Sequence, residues 1–136
     1  MKIIIGVTTN GPIPHLQRFL QSLVSNLEDI SPHQVVFVCY DNGTINSQAV
    51  RDHMEACRKY GFHFVLNAEE QGQSFTWNRI AEYEEADLAV FFNHTIRFFT
   101  PGWLTRMLFF FEHNEQIGMV GLPIVHETGI NHYSCV

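Results

Sequence analysis

Three features of the sequence predict an α/β fold built on an open, mostly parallel sheet with helices on both faces. Short apolar runs of strand length alternate with longer stretches whose apolar residues recur every three or four positions, the spacing of one helix face. The gaps between them are short, as strand-helix-strand crossovers in such sheets require. The runs are also continuously apolar, which strands covered on both faces must be.

The first run is residues 3–8, from Ile3-Ile4-Ile5 through Gly6 to Thr8, and the second is Val35-Val36-Phe37-Val38-Cys39-Tyr40. Both read as central strands. Between them Leu16, Phe19, Leu20, Leu23, Val24 and Leu27 form one helical stripe. A helix over 47–60 follows, with Val50, Met54 and Cys57 on its inner face, then a strand over 62–66. Residues 74–84 read as a helix with Trp77, Ile80 and Ala81 inward, and residues 88–92 as a strand. A helix over 101–111 takes Thr100 as N-cap and Pro101 at its first position, where the missing N–H loses nothing. The last strand spans 119–125, and its Pro123 marks an edge or an irregular end.

Composition bounds the rest. A chain of 136 residues, 46% of them hydrophobic, reads as one domain over residues 1–136 with its own core. The net charge of −6 argues against a nucleic-acid footprint, which needs a basic face. The run at Ile3-Ile4-Ile5 is too short for a signal-peptide core or a membrane span, so no membrane span is expected and the reading is cytoplasmic. Cys39, Cys57 and Cys135 are odd in number and widely spaced, which favours reduced thiols over a disulfide framework or zinc site. Asn42-Gly43-Thr44 and Asn93-His94-Thr95 match the glycosylation acceptor pattern, but no secretory signal accompanies them.

Ligands of an open α/β sheet lie beyond the carboxyl ends of its strands. There the sequence turns polar: Thr8-Thr9-Asn10-Gly11, Asp41-Asn42-Gly43-Thr44, Asn67 and Asn93-His94-Thr95. Turns alone favour these residue types. Their order, however, resembles the GT-A glycosyltransferases of the large inverting family. Thr8-Thr9-Asn10 is similar to that family's first turn and Asp41-Asn42-Gly43-Thr44 to its "DDGS" turn. Gln71 to Arg79 resembles its "NxGxxxxRN" segment, and the stretch from Leu88 through Pro101-Gly102-Trp103-Leu104 resembles its metal-binding strand and "PGWL" helix.

The resemblance covers roughly residues 2–125 and implies the Rossmann-like, nucleotide-binding half of a GT-A fold, with the acceptor half beyond Val136. It implies that Thr8, Thr9, Asn10, Asp41, Asn42, Gly72, Asn78, Arg79, Asn93 and Thr95 contact a nucleotide-diphosphate sugar, a UDP-sugar in the first instance, with Asp41 accepting a hydrogen bond from base or ribose. The activity implied is transfer of a hexose to an unknown acceptor. Two departures qualify it. Trp77 stands where the family has Arg, which leaves Arg79 as the cation for phosphate, or leaves Trp77 as core and Ser74 as a helix cap.

Where the family places Asp-x-Asp to hold Mn²⁺ or Mg²⁺, this chain has Asn93-His94-Thr95, so the metal ligands left are His94 and His126, with Glu127 and His132 nearby. Otherwise His94 is a satisfied strand-end histidine. The competing reading is a binding or assembly module of the same fold with no turnover. A nucleotidyltransferase is disfavoured, because no Gly-rich loop with Lys follows the first strand.

Seven of the twelve phenylalanines lie between Phe91 and Phe111, and Phe109-Phe110-Phe111 cannot all sit on one helix face. At least one is expected to be exposed, with another copy of the chain as its simplest cover. A second layer of packing within the monomer would account for them as well.

Overall fold

The structure is a computed structural model that describes residues 1–27, 33–121, 124–125 and 131–133. The chain divides into two compact units, Met1–Pro101 and Gly102–Val136.

In the first unit four strands, β1 (Lys2–Thr9), β2 (Gln34–Asn42), β3 (His63–Asn67) and β4 (Leu88–Asn93), alternate with helices α1 (Ile13–Ser25), α2 (Ser47–Lys59) and α3 (Gln73–Ala81). The sheet order is β3-β2-β1-β4 and every pairing is parallel. The two apolar runs expected at the centre, β1 and β2, are the two central strands.

Strand alternation sorts the core into two faces. Ile4, Val38, Tyr40 and Ile80 form a buried cluster with Trp77 and Phe91 packed against it, and Trp77 stacks on Phe91 at 5.4 Å. This is the α3 face. A Cβ on Gly6 would lie 2.2 Å from Ile80 Cγ2, so a glycine there lets α3 seat directly on β1. On the opposite face Val7 pairs with Phe92 in register, and Phe92 meets Phe19 of α1 at 5.9 Å. Helices α1 and α2 therefore share one face and α3 takes the other. Right-handed crossovers demand this arrangement, because β1-β2-β3 advances one way and β3-α3-β4 returns past them.

Several elements differ from the sequence reading. Helix α1 stops at Ser25, and Val24 is exposed. On α2 the buried side chains are His53, Ala56 and Cys57, while Met54 points outward. The stripe at 53, 56 and 57 obeys helical spacing equally well, but its first member is polar and reads as solvent-facing. Helix α3 begins at Gln73 with Gly72 as N-cap, so Ser74 does not cap it. It ends at Ala81, which is exposed, and its buried residues are Thr76 and Ile80. Glu82, Glu84 and Glu85 follow, negative charge that a helix C-terminus disfavours.

In the second unit α4 (Trp103–His113) buries Trp103, Leu104, Met107 and Leu108. It starts two residues later than expected. Gly102, at φ 82° and ψ 8°, has the dihedrals of the third residue of a type II turn, so Pro101 serves the turn instead of the first helical position. Phe109 and Phe110 are exposed, as the triplet required of at least one of them.

The expected strand over 119–125 is reduced to β5 (Ile124–Val125), which pairs antiparallel with β6 (Asn131–Tyr133) in a separate two-stranded sheet. Met119 is exposed, and Gly121 interrupts the run with a residue that disfavours strand. Residues 122–123 lie outside the described residues, as do His126, Glu127 and Cys135. Cys39 and Cys57 are free and buried. Among the described residues no helix is long and apolar enough to cross a membrane.

Candidate functional site

The strand order reverses between β1 and β4. A cleft of about 630 Å³ opens on the other side of β1, at the carboxyl ends of β1 and β2, walled by the β1–α1 turn from Asn10 to Pro14, the β2–α2 turn from Asn42 to Ala49, and Asp52 and Glu70. Ile13, Pro12 and the almost fully exposed Ile45 supply apolar surface. Asp52 and Glu70 make the lining acidic, and none of it comes from Lys or Arg.

The turn after β2 is fixed on three sides. Asp41 is fully buried: its Oδ2 lies 2.6 Å from His53 Nδ1 of α2, and its Oδ1 accepts from the Thr44 N–H at 3.1 Å. Thr44 Oγ1 in turn accepts from the Gly11 N–H at 3.1 Å, which ties the turn to the one after β1. Asn42 clamps the β3–α3 loop through both ends of its amide, donating to Gln71 O at 2.6 Å and accepting from Gln71 N at 2.8 Å. Gly43 donates to Asn67 O, and any Cβ there would meet Glu70 N at 2.7 Å, so only glycine fits that approach at φ 82°.

At β1 the two threonines face opposite ways. Thr8 Oγ1 lies 3.1 Å from Thr76 Oγ1 on the α3 face, whereas Thr9 is fully buried in register with Asp41, its Oγ1 without a hydrogen-bond partner. Asn10 is exposed at the cleft.

Beyond β4, Asn93 Oδ1 accepts from both the N–H and the hydroxyl of Thr95, each at 3.1 Å. The backbone N–H of His94 and its Nδ1–H both donate to Thr8 O at 3.1 Å, which holds this turn against β1 and leaves Nε2 as the outward nitrogen. His15 of α1 meets the His94 ring edge-on at 5.5 Å. The His94 pKa lies below 6.5, first because burial disfavours the imidazolium and then because His15 and His53 add like charge. The Thr8 carbonyl and Asp41 pull the other way. The loop that follows is clamped to α1, where Phe98 N–H donates to Ser22 Oγ and Asn26 donates to Phe98 O.

The structure thus brings Thr8, Thr9, Asn10, Asp41, Asn42, Asn93, His94 and Thr95 to one end of the sheet. Gly72 caps α3 at that same end. Asn78 and Arg79 sit about 9 Å farther along α3. Both are exposed, and Arg79 pairs with Glu82 at 3.3 Å while lying 5.2 Å over the Phe75 ring. The sequence reading missed His53 and Thr76, and it placed Thr44 in the turn after β2 without giving it a role. His53 had a signal in its spacing of four from Cys57; Thr76 had none beyond residue type. Burial raises the Cys39 pKa well above 9.0, with Cys57 and Asp41 adding to the effect, so this thiol is no nucleophile.

No protein-family model matches the sequence, and no curated protein matches it. Solved structures do. The chain is similar to S. aureus TarS 1-349, with a TM-score of 0.67 at 14% identity over 91% of this chain and 39% of that one. The same protein in complex with UDP-GlcNAc gives 0.60 at 12% identity over 91% and 37%. The mannosyltransferase PcManGT from Pyrobaculum calidifontis, in complex with GDP-Man and Mn²⁺, gives 0.63 at 15% identity over 78% and 31%. The chain therefore spans 31–39% of those structures' length.

A hard cation such as Mn²⁺ takes oxygen ligands, carboxylates above all. The turn after β4 offers none: the Asn93 oxygen is occupied by Thr95 and only His94 Nε2 remains. Among the described residues no group of three or more His, Cys, Asp or Glu could hold a metal ion. These residues do not fit a Mn²⁺ or Mg²⁺ site, and His126 lies outside them. The likenesses establish the fold, which is that of GT-A-like glycosyltransferases.

Proposed function

We propose that this chain is the donor-binding part of an inverting glycosyltransferase, holding a nucleotide-diphosphate sugar, a UDP-sugar in the first instance, for transfer to an acceptor. The observation that carries this reading is a cleft between the two polar turns that follow β1 and β2, at the carboxyl end of the sheet, the end where open α/β sheets take ligands. The cleft volume falls in the range of small-molecule sites. The apolar wall of Pro12, Ile13 and Ile45 suits a base, and the carboxylates of Asp52 and Glu70 suit ribose hydroxyls. The diphosphate would lie toward Asn93, His94 and Thr95, with Gly72 at the N-terminus of α3.

Binding here would depend little on a divalent cation, because the turn after β4 presents no carboxylate. The same observation favours one other reading, a nucleotide-binding module without turnover. Release of free nucleoside diphosphate from UDP-GlcNAc or GDP-mannose in the presence of candidate acceptors separates the two: steady release supports transfer, and binding without release supports the module. Thermal unfolding with each nucleotide tests both at once, since a ligand at 100 times its dissociation constant stabilises by about 2.7 kcal/mol. No shift with any nucleotide would refute both. The free thiols of Cys39 and Cys57 agree with a reducing, cytoplasmic setting, and the exposed Phe109 and Phe110 support self-association.

A further inference from the structure

We infer that His53 is a positioning residue for the cleft, acting through Asp41 and Thr44 on the turn at Gly11. This inference rests on the nucleotide-binding reading for its functional consequence, but its structural content stands alone. Four groups form one chain of hydrogen bonds: His53 Nδ1–H to Asp41 Oδ2 at 2.6 Å, Thr44 N–H to Asp41 Oδ1 at 3.1 Å, and Gly11 N–H to Thr44 Oγ1 at 3.1 Å. It begins inside α2 and ends on the opposite wall of the cleft. Thr44 and Gly11 line that cleft; Asp41 and His53 do not, and both are fully buried.

Two features separate this role from core filling. First, His53 Nε2 is buried without a hydrogen-bond partner, which destabilises the fold and which an apolar side chain of similar size would avoid. Packing alone would therefore favour leucine at this position. Second, the turns that the relay joins are hinged at glycines with positive φ, Gly11 at 70° and Gly43 at 82°. Such positions have wide backbone freedom, so the cleft walls keep their separation only if something fixes them. Asn42 fixes the second turn to the β3–α3 loop through Gln71. The first turn is tied to the second by the hydrogen bond from the Gly11 N–H to Thr44 Oγ1, and the orientation of Thr44 depends on Asp41. With both Asp41 oxygens occupied by His53 and Thr44, the carboxylate reaches the nucleoside through the shape of the wall.

Amide hydrogen exchange at Gly11 and Thr44, read by NMR on the free full chain, tests the relay directly, with UDP affinity measured by calorimetry on the same samples. His53→Leu should speed exchange at both amides by about tenfold or more and weaken UDP binding about tenfold. His53→Asn, whose side-chain amide nitrogen stands where Nδ1 does, should keep both near wild type. Thr44→Val keeps the Asp41–His53 pair and should speed exchange at Gly11 while sparing Thr44. Wild-type protection at both amides in His53→Leu would overturn the inference, as would His53→Asn failing as badly as His53→Leu. If His53→Leu does not fold, unchanged protection of Gly11 in Thr44→Val overturns it instead. A wild-type chain that binds no nucleotide sinks the proposed function and leaves the exchange data to decide the relay.

Discussion

Asp41 shows how much one residue can carry at the end of a strand. Its carboxylate is fully buried and has two protein partners, so Asp41→Ala strands a buried imidazole and frees the Thr44 amide at once. Leaving these buried donors without their acceptor should lower unfolding free energy by about 1–3 kcal/mol, measurable by urea denaturation; no measurable loss would mean the hydrogen bonds are not formed in solution. His94 gives a pH signature. Burial holds its pKa below 6.5 in the fold, so the unfolded chain binds the proton more readily. Its contribution is full above pH 6.5 and is lost as pH falls through that value toward the folded pKa. His94→Gln should flatten the stability profile between pH 7.5 and 5, and a profile parallel to wild type would place the imidazole in solvent. At this scale the sequence revealed polar strand ends but not their wiring. A strand-end Asp announces itself, whereas its partner His53 lies twelve residues away on a helix face that reads as polar.

At the scale of elements, the alternation of apolar runs gave the four strands, their parallel pairing and the places of β1 and β2. What it misjudged were element ends and helix faces, which depend on neighbours. Val24 and Met54 fit their helical stripes but are exposed, while Thr76 is buried against Thr8 of β1 on the α3 face. The late start of α4 follows from Gly102 taking a left-handed conformation, a choice that Pro-Gly leaves open. The seat of α3 on β1 makes the clearest prediction here. Gly6→Ala would place a methyl group 2.2 Å from Ile80 Cγ2, and such overpacking should destabilise the protein by about 1–3 kcal/mol. Ile80→Leu in the same chain, which lacks the Cγ2 methyl at similar volume, should recover part of that loss. If Gly6→Ala melts like wild type, α3 does not pack this closely.

For the whole molecule, the fold is shared with glycosyltransferases whose sequences agree at only 12–16% of positions. That is the level at which order of elements survives and side chains do not. Exposed aromatic surface on α4 predicts self-association: sedimentation equilibrium at micromolar concentration should show more than one chain, and Phe110→Glu should shift it toward monomer. A monomer at every concentration would remove that surface from the account. The central claim is that a nucleoside diphosphate occupies the cleft with little help from a metal, and titration calorimetry of the full chain with UDP, GDP and their sugars, in Mn²⁺ and in EDTA, tests it most directly. The account predicts saturable binding of at least one of them, changed less than about tenfold by EDTA, a difference of about 1.4 kcal/mol. Binding that vanishes in EDTA and returns with Mn²⁺, or no binding of any of them, would contradict it.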